Sequence, residues 1–84
     1  MKRYIIICVN EERQVVSCNA YKTIEQASTK MMAEYYTELH DKLEIYCGNE
    51  RCISSNIDMD NNIAYVSYNE FGYFWEIKTV EIPE

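Results

Sequence analysis

The fold of this chain is decided by residues 23–46, which read TIEQASTKMMAEYYTELHDKLEIY. Apolar residues recur there at steps of three and four, apart from one longer step near the end: Ile24, Ala27, Met31, Tyr35, Leu39 and Tyr46. At about 100° per residue these side chains share one face, which predicts an amphipathic helix. Thr23 and Gln26 have the spacing of an N-terminal capping box, and Gly48 is suited to end a helix. The pattern leaves open whether residues 43–46 form a last helical turn or begin the next segment.

Short apolar or alternating stretches on either side of this helix predict β-strands. Two precede the helix, at residues 4–9 and 14–21, and the short turn between them indicates an antiparallel hairpin. Two or three follow it, at residues 63–68 and 73–77 and, with a weaker pattern, at 53–58. The predicted fold is therefore α+β in two layers, with one long helix packed on an antiparallel sheet of four to five strands in the order β-β-α-β-β-β. All 84 residues are expected to form one domain.

The alternation of side chains also predicts which residues meet between the layers. The helix stripe is expected to contact one face of the sheet, formed by Ile6, Val16, Tyr65 and Trp75 or their immediate neighbours in alternation. Cys8 and Cys18 are expected to be small core residues of their strands. The alternation changes parity after Ile77, which predicts a bulge or a strand end at Lys78 or Thr79.

The far side of the helix is expected to face solvent, away from the sheet. Its members are Lys30, Ala33, Glu34, Thr37 and Asp41. A helix that is apolar on one side and polar on the other is typical of the outer layer of a small globular domain.

Charge is distributed unevenly along the chain. Residues 1–42 carry six basic and six acidic groups, whereas residues 43–84 carry two basic and eight acidic groups, so the net charge of −6 lies in the second half. Such a surface repels phosphate backbones, which disfavours direct binding to nucleic acid, and its natural partner is a protein with a basic surface. No stretch has the length of a membrane span and no secretory signal is recognised, so we expect no membrane partner and a cytoplasmic location.

A binding surface is predicted from the acidic and aromatic residues of the second half. Eight tyrosines are more than a core of this size can bury, and tyrosine is favoured at protein interfaces. The candidate binding residues are Glu44, Glu50, Asp58, Asp60, Tyr68, Glu70, Phe71, Tyr73 and Glu76.

Residues 58–62 begin like a calcium-binding loop, with oxygen-bearing side chains at alternate positions. The pattern then fails, because Ile63 stands where the loop needs glycine and Asn69 stands where it needs a bidentate glutamate. An ordinary hairpin turn is therefore expected at this place.

Cys47 and Cys52 flank a short turn, but they do not complete a metal site. Two further ligands would be needed, and the single histidine, His40, lies well upstream. A loop with two incidental thiols is the favoured interpretation. We expect a non-enzymatic protein with no cofactor and no bound metal.

Three functions remain to be weighed. The leading hypothesis is a small acidic protein that docks onto a macromolecule with a basic surface. A more specific form of this hypothesis is a nucleic-acid mimic of the phage-type, anti-defence kind, which inhibits a nuclease or another nucleic-acid-binding protein. The first alternative is a homodimer or interaction module that uses a sheet edge or an aromatic face. The second is a small thiol-dependent enzyme that uses Cys47 or Cys52 with His40.

Overall fold

One helix packs on one face of an antiparallel sheet in the computed structural model, which describes residues 1–45, 53–68 and 71–83. The elements in chain order are β1 (Lys2–Asn10), β2 (Val15–Tyr21), α1 (Ile24–Ile45), β3 (Ile53–Asp58), β4 (Ile63–Tyr68) and β5 (Phe71–Glu81). The five strands lie in the order β2-β1-β5-β4-β3, and every neighbouring pair is antiparallel. The predicted α+β class, the two layers and the order of elements are confirmed.

The helix begins where its capping residue predicts. The Oγ1 atom of Thr23 accepts a hydrogen bond from the backbone N–H of Gln26 at 3.1 Å, which satisfies one of the free donors of the first turn. Ala27, Met31 and Tyr35 of the apolar stripe are buried against the sheet. Burial of this stripe, more than the intrinsic propensity of the sequence, holds the helix in place.

The helix continues to Ile45, so residues 43–45 form its last turn. Tyr46 and Gly48, the other residues considered for this end, lie outside the described residues. In the part of the chain that the structure describes, no helix has both the length and the apolar character that crossing a membrane requires.

The core lies between α1 and the three interior strands. Ile6 is opposite Ile77, and Cys8 is opposite Trp75, which in turn is opposite Ala64. Directly opposed residues of neighbouring strands point to the same face, so these side chains form one layer beneath the helix. All five are buried, as the predicted contacts with Ile6 and Trp75 require.

The predictions for β2 are wrong in part. Ser17 is opposite Cys8 and Asn19 is opposite Ile6, so Ser17 and Asn19 share the helix-facing side, while Cys18 is exposed and does not belong to the core. The register shifts because Cys8 and Val9 pair with Ser17 and Val15, which leaves Val16 as the extra residue of a bulge. Because β2 is an edge strand, its register is not fixed by packing on both sides.

The expectation for β4 holds in its second form, because Tyr65 is exposed and its immediate neighbours Ala64 and Val66 are buried. The expectation for the end of β5 is wrong. No bulge interrupts β5 at Lys78 or Thr79, because its pairing with β1 runs without a shift from Tyr73 to Glu81. Val80 therefore points away from the helix and is exposed.

The second face of the sheet is covered by no other element in the described residues. We call it the open sheet face; its principal members are Ile5, Ile7, Val9, Cys18, Ala20, Ile63, Tyr65, Phe74, Glu76, Lys78 and Val80. The Lys78 ammonium contacts the Glu76 carboxylate there at 3.1 Å.

Candidate functional site

The predicted acidic binding residues are divided between the two layers. Glu44 lies in the last turn of α1, and Glu76 lies on the open sheet face. Asp58 is the last residue of β3, and Asp60 lies in the turn that follows it. Asp58 and Glu76 are both aligned with Ile63, which separates them by two strand spacings, or about 10 Å. Glu50 and Glu70 lie outside the described residues.

Asp58 holds the turn between β3 and β4. Its Oδ1 atom accepts hydrogen bonds from the backbone N–H groups of Asp60 at 3.1 Å and Asn61 at 3.2 Å, and its Oδ2 atom accepts one from the Asn61 side chain at 2.7 Å. These hydrogen bonds lower the pKa of Asp58, and the bond from the Asn61 side chain has the largest effect. Asn62 adopts a φ of 57°, which asparagine tolerates in turns. Asp58 therefore has a structural task in an ordinary hairpin turn.

Glu44 and Glu76 each have a positively charged or protonatable neighbour. The carboxylate of Glu44 lies 3.7 Å from the Nε2 atom of His40, one turn back on the exposed side of the helix. Glu76 forms the ion pair with Lys78 described above. Exposed pairs of this kind contribute little stability, but the Lys78 ammonium reduces the negative potential that Glu76 presents.

Tyr68 and Tyr73 of the predicted set lie on the helix-facing side of the sheet. Tyr73 is opposite the buried Val66, and the backbone of Tyr68 pairs with that of Phe71. Tyr73 is half-buried beside Trp75, with ring centroids 6.1 Å apart. Of these residues, Tyr73 lines a cleft that the sequence did not predict.

A cleft of about 440 Å³ opens between α1 and the β2 side of the sheet. Small residues of both layers line it, among them Ala33 on the helix and Ser17 on the strand. We call it the acidic cleft; the side chains that define its chemistry are Cys8, Ser17, Glu34, Glu38, Tyr73 and Trp75.

Two carboxylates from the helix give the acidic cleft its negative charge. Glu34 and Glu38 are one turn apart on α1 and both are half-buried. The Oε2 atom of Glu34 is buried and accepts no hydrogen bond from any described residue. Burial raises the pKa of Glu38, the charge of Asp41 raises it further, and Lys42 opposes them. The cleft therefore holds carboxylates with less hydration than surface groups have.

The neighbouring groups respond to the same negative potential. Burial and, after it, the charge of Glu34 raise the pKa of the Cys8 thiol to about 11, although a hydrogen bond with Ser17 lowers it. The charge of Glu38 raises the pKa of Tyr73, and burial of the ring raises it further. Burial disfavours a charge of either sign, but the effects of Glu34 and Glu38 on these two groups come from a negative potential, which favours a cation.

Sequence reasoning placed Glu34 on the solvent side of the helix, and that expectation is wrong for this residue. The helix wheel gives the angle of each side chain, but not the lateral position of the helix over the sheet. The signal available in the sequence was the spacing of Glu34 and Glu38 beside the buried Tyr35 and the partly buried Leu39. That spacing shows that two carboxylates border the apolar stripe on neighbouring turns.

The chemistry of the buried thiol of Cys8 does not favour nucleophilic catalysis. A pKa of about 11 keeps Cys8 protonated at neutral pH, and the thiolate is the reactive form of cysteine. Cys47 and Cys52, the residues considered for a thiol-dependent enzyme, lie outside the described residues.

A group of three exposed side chains also has the composition of a metal site. Ligand atoms of His40, Asp41 and Glu44 lie within 4.8 Å of one another on the last turns of α1. Exposed groups spaced by three or four residues on a helix meet in this way without a ligand. Their proximity therefore gives no separate reason to assign a metal.

No protein-family model matches this chain, and comparisons with curated proteins and with solved structures found no match either.

Proposed function

We propose that this protein is a non-enzymatic binding protein that docks on a partner protein with a basic surface. In this proposal a lysine or arginine side chain of the partner enters the acidic cleft. The observation that carries the proposal is the buried Oε2 atom of Glu34, which accepts no hydrogen bond from the described residues. An unsatisfied buried carboxylate oxygen costs free energy, and a cationic donor in the cleft would remove that cost.

The rest of the cleft suits the same occupant. Trp75 and Tyr73 contribute aromatic rings, whose faces attract ammonium and guanidinium groups. A volume of about 440 Å³ accommodates a long side chain with its charged end. Lys30 also lines the cleft, but it makes no salt bridge with Glu34 or Glu38 in the described structure. The Oε2 atom of Glu34 therefore stays available for a partner.

The net charge of −6 supports the proposed class of partner. Proteins that bind nucleic acid carry basic grooves in which lysine and arginine contact phosphates. An acidic protein that fills such a groove would exclude the nucleic acid. We therefore extend the proposal to an inhibitor of a nuclease or another nucleic-acid-binding protein.

The proposal is tested by titration with a peptide of nine arginines. Trp75 is the single tryptophan of the chain and lines the cleft, so its fluorescence reports occupancy. The double variant Glu34→Gln/Glu38→Gln should bind at least about tenfold more weakly, since two hydrogen-bonded charge pairs are lost. The matched control Glu25→Gln/Asp60→Asn removes the same charge at exposed positions outside the acidic cleft and should bind within about threefold of wild type.

Two results would contradict the proposal. Equal weakening in the cleft variant and in the control would show that net charge alone attracts the peptide. Binding that does not weaken with added salt would show that ion pairing is not the source of affinity.

The partner class has its own experiment. The wild-type protein and the control, when immobilised, should retain basic nucleic-acid-binding proteins from the source cells, and the cleft variant should not. Retention of the same proteins by all three would remove the cleft from the mechanism.

A further inference from the structure

The central strands are apolar on both faces, although the described structure covers only one of them. In β1, Ile6 and Cys8 are buried beneath α1, while Ile5, Ile7 and Val9 on the open sheet face are half-buried. An antiparallel sheet with one face in water normally alternates apolar and polar residues. The sequence of β1 is instead typical of a strand that is covered on both sides.

The apolar surface continues across the neighbouring strands. Val9 is opposite Phe74, which is opposite Tyr65, and both aromatic side chains are more than one-third exposed. On the other side of β1, Ile7 is opposite Cys18 and Ile5 is opposite Ala20. The patch therefore spans four adjacent strands, which is larger than scattered exposed residues produce.

The charges at the centre of the open sheet face are complementary to themselves. Glu76 and Lys78 are two residues apart on β5 and form an ion pair at 3.1 Å. Consider a two-fold axis that lies in the plane of the interface, passes near Ile77 and runs at a right angle to β5. Rotation by 180° about this axis places Lys78 of one copy over Glu76 of the other. In a two-fold interface each such contact occurs twice.

The same axis also brings the apolar residues together. Ile77 is opposite Ile6, so the rotation places Ile5 of one copy over Ile7 of the other. In β5 it places Phe74 over Val80, because both are three residues from Ile77. The axis also places Arg3, which is opposite Val80, over Val9, so the matched groups are those nearest Ile77 and the pair Phe74 and Val80. Packed sheets cross at about 30°.

We propose that the open sheet face packs on the same face of a second copy of this chain, about this two-fold axis. The registers place β3 and β4 on one side of this axis, so the strands that overlap between the two copies are β2, β1 and β5. Three strands at about 4.8 Å spacing and four side-chain rows give an overlap of roughly 14 by 25 Å. Two such faces bury on the order of 700 Å² in total, below the size of standard interfaces, so the dimer is expected to be weak, with a dissociation constant on the order of 100 μM.

Charge reversal tests the proposed geometry. Glu76→Lys sets positive groups against positive groups across the axis, and Lys78→Glu sets negative against negative, so each variant alone should be monomeric by sedimentation equilibrium. An equimolar mixture of the two should form a heterodimer with about the affinity of the wild-type dimer. The double variant Glu76→Lys/Lys78→Glu restores complementary pairs and should dimerise by itself.

Several outcomes overturn the proposal. The first is a wild-type protein that stays monomeric up to about 2 mM, roughly twentyfold above a dissociation constant on the order of 100 μM. The others are single variants that dimerise like wild type and a mixture that remains monomeric. Dimerisation of the double variant shows that both substitutions are compatible with folding, and circular dichroism of the single variants checks the same point.

This inference is independent of the proposed function, because the acidic cleft and the open sheet face lie on opposite sides of the sheet. The cleft variant Glu34→Gln/Glu38→Gln should therefore dimerise as the wild type does. The monomeric variants should still bind the arginine peptide.

Discussion

The ring of Tyr35 on α1 stands edge-on to the ring of Trp75 in β5, with centroids 6.4 Å apart and planes at 78°. Both side chains are almost completely buried. Edge-to-face pairs add stabilisation beyond the apolar area that they bury. This contact joins the helix to the central strand, and Trp75 also lines the acidic cleft.

Replacement of Tyr35 should therefore destabilise the whole domain. Tyr35→Ala is expected to cost about 3–5 kcal/mol, because it removes a buried aromatic ring and leaves a cavity. The next residue provides the control, since Tyr36 is more than half exposed and Tyr36→Ala should cost less than about 1 kcal/mol. Urea denaturation followed by circular dichroism measures both values, and similar costs would show that Tyr35 does not join the layers.

Gly72 is required by the close approach of β4. A Cβ atom at this position would collide with the carbonyl oxygen of Val66 and lie 2.6 Å from the Cα atom of Ser67. Both are backbone atoms, so Gly72→Ala forces the strands apart and should cost about 1–3 kcal/mol. Ser67→Ala, directly opposite, removes a side-chain atom without crowding and serves as the control. A thermal melt of Gly72→Ala equal to that of wild type would contradict this reason for the glycine.

Glu38 should make the fold less stable at neutral pH than in acid. Burial raises its pKa in the folded protein above the unfolded value, so its protonated form favours folding. That contribution is present below the unfolded pKa and is lost as the pH rises through the folded pKa. Glu38→Gln is therefore expected to raise the melting temperature at pH 7 and to have little effect near pH 4, as measured by thermal denaturation across this range. A constant difference between the two proteins would contradict the prediction.

Asp58 should behave in the opposite way. Hydrogen bonds, first from the Asn61 side chain, lower its pKa in the folded protein, so its ionised form favours folding. The contribution is present above the unfolded pKa and is lost as the pH falls through the folded pKa. Asp58→Asn should therefore lower the melting temperature at pH 7, and the difference should shrink towards pH 3. An unchanged melting temperature at neutral pH would show that the turn does not need this carboxylate.

The two described cysteines should differ sharply in reactivity. Cys8 is buried with a pKa of about 11, whereas Cys18 is exposed. In a background of Cys47→Ser and Cys52→Ser, an alkylating reagent at pH 8 should modify Cys18 in the native protein, and Cys8 only after denaturation. Mass spectrometry counts the modified thiols, and equal rates for the two would contradict the register found for β2. Low protein concentration keeps the proposed dimer dissociated.

The layered fold could be predicted from the sequence because its strongest local signals agree. Thr23 marks the start of α1, and Ala27, Met31 and Tyr35 recur on one face, so helix and core stripe follow from one pattern. The errors fall where tertiary contacts decide. The bulge at Val16 shifts the register of β2. This strand has seven residues and pairs with a neighbour on one edge, so its sequence pattern does not reveal the shift.

The candidate site could not be predicted from charge along the chain. Residues 1–42 have a net charge of zero, yet they contribute Glu34 and Glu38, the two carboxylates of the acidic cleft. Whether these two carboxylates line a cleft depends on how far α1 lies to one side of the sheet. It depends also on the residues of β2 that line the other wall of the cleft. Asp58, which charge counting favoured, instead forms the hydrogen bonds of a turn.

Backbone amide shifts recorded by nuclear magnetic resonance during titration with the nine-arginine peptide test the proposed binding site most directly. The largest changes are expected at Glu34, Glu38 and Tyr73 and at the indole N–H of Trp75, with the turn at Asp58 little affected. Changes confined to that turn, with the Trp75 indole signal unmoved, would contradict binding in the acidic cleft.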